Sequence, residues 1–464
     1  MAWKEENPLI LIRTLQGCPV FKKKGLSRHL FWRSILFFGF LFLLWINPEG
    51  AFAREERLSL EECVQSALEH HPGAREARAG VEEALGRLGL AKTGDAFTFD
   101  MNLDYARERG FHDAESDNSY NSSAVLAKPL FDWGRTKTEI SMALEGLAIS
   151  QLEEYRALEE IVYNVEKAYY GLLESQRDAQ VARETLERYE EHLHRAKAFY
   201  EVGSNPYFDV TAAEVEASTA RIALIRGDSA VRKARTVLYN SMGRPASVDV
   251  GIEDNSDFEE IDIPFREVLD VAFTFRSDLK AASKRVVQGS QEILLLAREN
   301  APLLSARGAY RLGGTSPGEE DAWNLEMVLS IPLYDGGVTR EKIQIARGTL
   351  EKKKAQEILL RQKIVLEVEQ AWLSLLEAEE SIRVAALAKR QAEEKLALAM
   401  ERYDVGMGSP IEVTDANESM SDAARDYNRA LYTYSMARAE LRYATGRSLL
   451  AYGGNSSETF EEAR

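Results

Sequence analysis

The sequence predicts a mainly α-helical fold with a small β part, built from two copies of one repeat. Three observations carry this. Laid over itself, the chain matches without a gap from Pro129 to Arg244, with Pro129 on Pro332 and Asp132 on Asp335 (332 − 129 = 203). Self-similarity over such a length marks a duplicated unit. Two stretches free of proline, 135–201 and 338–404, are rich in Ala, Leu, Glu and Arg and carry apolar residues in steps of three and four. That is the period of a helix. Two shorter stretches, 97–105 and 323–333, instead alternate polar and apolar side chains strictly, the period of a strand with one wet face; 304–312 alternates more weakly and 120–130 is the poorest of the four.

The chain opens with a basic segment, "FKKKGLSRHLFWR", an apolar core of about 13 residues, "SILFFGFLFLLWI", and an Ala51-Phe52-Ala53 pattern before Arg54. This order reads as a secretory signal over 1–53. The apolar core falls short of the roughly 20 residues a spanning helix needs. Without the leader, 58 − 7 = 51 basic residues face 75 − 3 = 72 acidic ones, so the mature net charge is 51 − 72 = −21. A nucleic-acid partner, which calls for clustered positive charge, is excluded. Cys18 leaves with the leader, and Cys63 remains as a small buried hydrophobe on a helix face, with no disulfide available to it. No other apolar run approaches the length of a membrane-spanning helix, which rules out a helical membrane protein but leaves a β-barrel open.

The first repeat, 54–245, begins with a short helix whose Ser59 and Glu62 form a capping box. Pro72 breaks it, and a second helix runs to about Lys92. Strands follow at about 97–107 and 119–130. In the first of them Phe97, Phe99, Met101, Leu103 and Tyr105 share one face, and Thr98, Asp100, Asn102 and Asp104 the other. A helix over about 134–201 closes the repeat, with a shorter helix returning to Met242. An acidic linker, 246–262, joins the second repeat, 263–448. There the strands are expected at about 303–313 and 322–333, and the long helix at about 337–404. Before Pro129 the offset becomes 205, Ala67 falling on Ala272. A polar tail, 449–464, ends the chain. Helices of about 67 residues would each run roughly 100 Å at 1.5 Å per residue, far beyond a globular core, which indicates coiled-coil packing. The strands have the length of a tilted membrane crossing, but four strands with open edges do not survive in lipid, so several chains would share one barrel.

Each long helix stops at a similar phrase, "YEVGSNPYFDVT" and "YDVGMGSPIEVT". These breaks, with "KPLFDWG" and "IPLYDGG" at the strand-to-helix transitions, the leader and the doubled hairpin, resemble the TolC-type outer-membrane efflux protein family over nearly all of the mature chain. The resemblance implies a trimer, with a 12-stranded barrel in the outer membrane atop a periplasmic α-helical tunnel. It also implies a periplasmic adaptor protein and an inner-membrane pump as partners, and outer-membrane lipid around the barrel. The expected function is therefore an exit duct for efflux or type I secretion, not an enzyme. The alternative is a periplasmic adaptor or a structural coiled-coil rod.

No catalytic constellation, phosphate-binding loop or cofactor motif is present in the sequence. His70-His71 and the pair His192 and His194 read as solvated surface histidines, so no metal site is expected. Glu412 and Asp415 lie three apart at the start of the returning helix, where the helix dipole favours acids whatever their role. By resemblance they match a ring of acids at the pore entrance, six carboxylates in a trimer. Tyr403 and Asp209 match a gate link between neighbouring coils. The position of the family's arginine link is Gly408 here. Val202, Gly203, Val405, Gly406 and Met407 at the two tips are the candidates for docking the adaptor, beside the simpler reading that they only turn the chain.

Overall fold

The computed structural model describes residues 57–109, 116–204, 206–245, 251–254, 258, 260 and 263–448. The expected leader, much of the acidic linker and the polar tail lie outside the described residues. The elements run β1 (Arg57–Leu58), α1 (Leu60–His70), α2 (Pro72–Thr93), β2 (Thr98–Arg109), β3 (Ser116–Phe131), α3 (Arg135–Glu201) and α4 (Tyr207–Ser241). The second half repeats them as β4 (Gly251–Ile252), α5 (Phe265–Phe275), α6 (Ser277–Ala297), β5 (Leu303–Gly314), β6 (Glu320–Ser330), α7 (Val338–Asp404) and α8 (Pro410–Thr445).

The two hairpins form one antiparallel sheet in the order β2-β3-β5-β6. Its register puts Phe99 opposite Leu126, Ala124 opposite Tyr310, and Tyr310 opposite Trp323. Period-two alternation therefore gathers the large apolar side chains of all four strands on one face, where Phe99, Met101, Leu103, Trp323, Leu325 and Met327 are all exposed. The other face carries Asp100, Asn102 and Asp104, and sets Arg307 opposite Glu326. The sheet's strands extend slightly past the expected ends on β2, β3 and β5, while β6 stops at Ser330, three residues short of Leu333.

The strand-to-helix phrases owe their form to the turn they make. Asp132 accepts from the Gly134 N–H at 3.0 Å and the Thr136 N–H at 2.7 Å. Asp335 does the same with Gly337 at 2.9 Å and Thr339 at 2.8 Å. Each aspartate thus satisfies donors that the first helical turn leaves without partners. The tight turn drives the next residue left-handed, at φ +70° for Gly336 and +56° for Trp133. Trp133 is the one non-glycine with positive φ among the described residues. That conformation costs an L-residue roughly 1–2 kcal/mol.

Helices α3 and α7 each span 67 residues. Near the sheet they stand in the order α2-α3-α6-α7, and toward the tips in the order α4-α3-α8-α7. Where the two levels meet, Cys63, Val64, Val162, Val165, Tyr169, Leu172 and Tyr432 form the largest buried cluster. The capping box of Ser59 and Glu62 forms, and burial pushes the Cys63 thiol up to about 12.

The same level is built on one corner used twice. His71 ends α1 and caps α2, its Nδ1 accepting from the Gly73 N–H at 3.1 Å. It is a structural cap, not a solvated histidine. Arg276 holds the matching corner between α5 and α6 and is 1% exposed. Its guanidinium donates to Asp278 at 3.0 and 2.6 Å, to Glu367 at 2.6 Å and to the Ala444 carbonyl at 3.2 Å. Each corner rests on a left-handed glycine after the returning helix. A Cβ on Gly243 would lie 2.7 Å from His71 Cα, and one on Gly446 would lie 3.0 Å from Arg276 Cα. The repeated Gly-Arg pairs are explained by this close approach. Two further carboxylates, Glu159 and Glu166, are fully buried against Arg156 at 3.1 Å and Arg442 at 2.5 Å. Burial, opposed by Arg156, pushes Glu159 up to about 7.

Candidate functional site

The two helix breaks close in the same way. The Gly203 N–H donates to Tyr200 O at 3.0 Å and the Ser204 N–H to Phe199 O at 2.9 Å. In the second break the Gly406 N–H donates to Tyr403 O at 3.0 Å and the Met407 N–H to Arg402 O at 2.9 Å. Both are Schellman-type ends, in which a left-handed residue, here Gly203 at φ +75° and Gly406 at +74°, lets the last carbonyls find donors. Such an end leaves the side chains around the turn outside the packing. Val202, Val405 and Met407 are all exposed, as are Tyr207, Phe208 and Ile411 beside them.

Behind the tips the two halves differ. Tyr200 is exposed and packs tilted against Tyr207, whereas Tyr403, its counterpart at offset 203 (403 − 200), is 5% exposed. Tyr403 packs between His192, centroid to centroid 5.5 Å, and Phe199, at 5.8 Å. His192 is itself 6% exposed, which corrects the expectation of a solvated histidine. Its place in the helical stripe Tyr189, His192, Ala196, in steps of three and four, carried that signal. Burial first, and then the Arg195 charge, lower its pKa; Asp209, in the first turn of α4, acts in the opposite sense. His192 is thus the common neighbour of Tyr403 and Asp209. Arg195 beside it holds Asp404 at 2.8 Å and Glu191 at 2.7 Å.

Glu412 and Asp415 line one groove of about 470 Å³ between α7 and α8, with Glu394, Lys395 and Arg402. Helix α8 starts there because the Ser409 hydroxyl accepts from the Glu412 N–H at 3.3 Å and Pro410 opens the first turn. Arg402, which sequence reasoning passed over, reaches Glu412 at 3.5 Å. Both side chains are about half exposed, so the pair adds little stability and mainly trims the negative charge of the groove. Gly408 has a steric cause. A Cβ there would stand 2.9 Å from the Tyr403 backbone nitrogen, and the Gly408 N–H is turned in to the Arg402 carbonyl at 2.8 Å. An arginine does not fit at that position in this turn. Among the described residues no cluster of His, Cys, Asp and Glu could hold a metal ion.

A four-stranded sheet with an apolar outer face, continuous with helices of roughly 100 Å that end in paired tips, defines a barrel-and-tunnel outer-membrane protein. The family profile described as "Outer membrane efflux protein" matches residues 63–244 and 272–447. The chain belongs to the outer membrane efflux protein family and resides in the outer membrane. It is 21% identical over 418 residues to the outer membrane protein TolC of Salmonella enteritidis, covering 87% of this chain and 85% of that one. It is 24% identical over 436 residues to the alkaline protease secretion protein AprF of Pseudomonas aeruginosa, covering 89% and 88%. Its fold superposes on the CmeC outer membrane channel of Campylobacter jejuni with a TM-score of 0.76 at 15% identity, covering 87% of this chain and 88% of that one.

Proposed function

We propose that the protein is the passive exit duct of an efflux or type I secretion system, a ring of three chains that docks a periplasmic adaptor and is energised by an inner-membrane pump. The observation that carries this reading is the order of the elements at each level. The sheet ends on β2 and β6, the upper helix row on α2 and α7, and the lower row on α4 and α7. First-repeat elements stand at one end of every row and second-repeat elements at the other. One head-to-tail contact between chains would therefore satisfy all three levels together, and such heterologous contacts close into rings. The facing surface suits it: Ile345, Leu359, Leu366, Leu373 and Leu387 of α7 are spaced in multiples of seven and lie 47–70% exposed. That is a coiled-coil seam left without a partner among the described residues.

In this duct Glu412 and Asp415 would form an acidic ring at the entrance, favouring cations. Tyr403 and Asp209 would form the gate link, each such bond contributing roughly 1.5–3 kcal/mol to closure. Gly408 leaves the gate without the family's second link. The exposed Val202, Gly203, Val405, Gly406 and Met407 would meet the adaptor. The test is planar-bilayer conductance of Tyr403→Phe with Asp209→Ala, which is expected to rise. Unchanged conductance would sink the gate assignment, and a soluble periplasmic monomer in place of a heat-modifiable trimer would sink the duct.

A further inference from the structure

We propose that Trp133 is an interfacial anchor, seated among the phospholipid headgroups of the periplasmic leaflet, and that it fixes the depth at which the barrel sits. Three independent features converge on it. First, the backbone at this point is made for glycine, and the second repeat has glycine, Gly336 at φ +70° where Trp133 stands at φ +56°. The first repeat accepts strain to place an indole there, and such outliers persist where they serve a purpose. Second, the partner ring is brought to the same side by another irregularity. A bulge between Pro129 and Phe131 shifts the register so that Phe131 pairs with Leu304, on the outer apolar face. Without the shift Phe131 would point inward with Pro129. Trp133 then packs edge-on against Phe131, centroids 5.0 Å apart, and both rings stay about half exposed.

Third, the spacing fits a bilayer. On the outer face Tyr105 and Tyr120 pair at 5.1 Å near the far end of the sheet. From Tyr120 to Phe131 are 131 − 120 = 11 residues of strand. At about 3.3 Å per residue and a tilt of about 40°, this spans roughly 28 Å along the membrane normal. The apolar band of an outer-membrane barrel is about 25 Å tall and is flanked by aromatic girdles. Lys128, outward and exposed, lies just inside the lower girdle, where its long stem lets the ammonium reach the headgroups. Indoles prefer that same layer. The occupant is lipid and not a second chain because the pair continues the apolar outer face of the sheet.

The experiment uses the full mature chain in vesicles of phosphatidylethanolamine and phosphatidylglycerol, with Trp323 and Trp372 replaced by Phe so that Trp133 alone fluoresces. Lipids brominated near the headgroup should quench it at least twofold more than lipids brominated near the bilayer centre. Should that variant not assemble, the difference in emission between the native chain and Trp133→Phe gives the same readout. Trp133→Gly should lower the yield of inserted protein in vesicles at least twofold. Emission indifferent to both brominated lipids would overturn the proposal, whether iodide quenches it from water or another chain shields it. An unchanged yield of inserted protein for Trp133→Gly would overturn it too.

Discussion

Replacing Arg276 by methionine tests whether burial, and not bond length, decides what an ion pair contributes. Arg276 meets Glu367 at 2.6 Å with 2% of its side chain exposed, and Arg383 meets Glu260 at the same 2.6 Å with 49% exposed. Breaking a buried pair strands a charge and costs about 3–5 kcal/mol, whereas exposed pairs give about 0–1 kcal/mol. Two details set the value within the first range. Glu367 retains Lys363 at 3.2 Å and is 32% exposed, so water and lysine can take over. The stranded group is then chiefly Asp278, together with the Ala444 carbonyl, and we expect a loss near the lower limit, about 3 kcal/mol. Guanidinium unfolding followed by helix circular dichroism in micelles should show a lowered midpoint at unchanged slope for Arg276→Met and almost no change for Arg383→Met. Equal losses would refute the reasoning. The pH dependence is a second check. In the native chain burial pushes the Asp278 carboxyl up, but Arg276 outweighs it and holds the pKa below the ordinary value. That contribution is present at neutral pH and is lost as pH falls through the depressed pKa. In Arg276→Met burial is opposed only by the Arg156 charge and the Leu279 N–H, so the pKa rises from its native value and the deficit should shrink on acidification from pH 7.

The other predictions concern the glycine seat and the tip. Gly446→Ala places a Cβ 3.0 Å from Arg276 Cα at a φ of +72°, and should cost about 2–4 kcal/mol by the same unfolding assay, from left-handed strain plus overpacking. His192 has a folded pKa below its unfolded value, so its contribution is present above the unfolded pKa and is lost as pH falls through the folded one. Hydrogen-exchange protection factors at residues 189–204, corrected for the intrinsic pH dependence of exchange, should therefore fall below about pH 6.5, the unperturbed histidine value, and His192→Phe should flatten that dependence. The groups facing His192 are Tyr403, Asp209 and Arg195, and Arg195→Met should move the transition to higher pH by removing the neighbouring charge.

Much of this architecture was legible because its signals are periodic. The helical run from Arg135 to Glu201 could be read from its three-four steps and missing prolines, and the β2 face from strict alternation. What periodicity does not carry is partnership. Nothing local in the sequence pairs Ala127 with Arg307, so the union of the two hairpins into one sheet emerges only in three dimensions. Likewise Arg402 reads as one more helix charge until the turn brings Glu412 back beside it, and Gly408 reads as a missing arginine until the space it occupies is seen. The burial of His192 is hard to read for a different reason: its residue type points to solvent while its position in the stripe points inward. Trp133 sits within a recognisable motif, but a motif does not state a backbone angle.

The pairing of β3 with β5 has a consequence for biogenesis. Ala127 and Arg307 lie 307 − 127 = 180 residues apart, so the inner edge of the first hairpin has no partner until most of the chain has crossed the inner membrane. During that interval β3 presents open backbone donors and acceptors beside an apolar face, the combination most prone to pairing with strangers. A chain truncated between the repeats is predicted to aggregate in the periplasm and not to persist as half a duct. The duplication thus makes completion of synthesis a condition of insertion, because only the second repeat can seal the edge that the first one leaves.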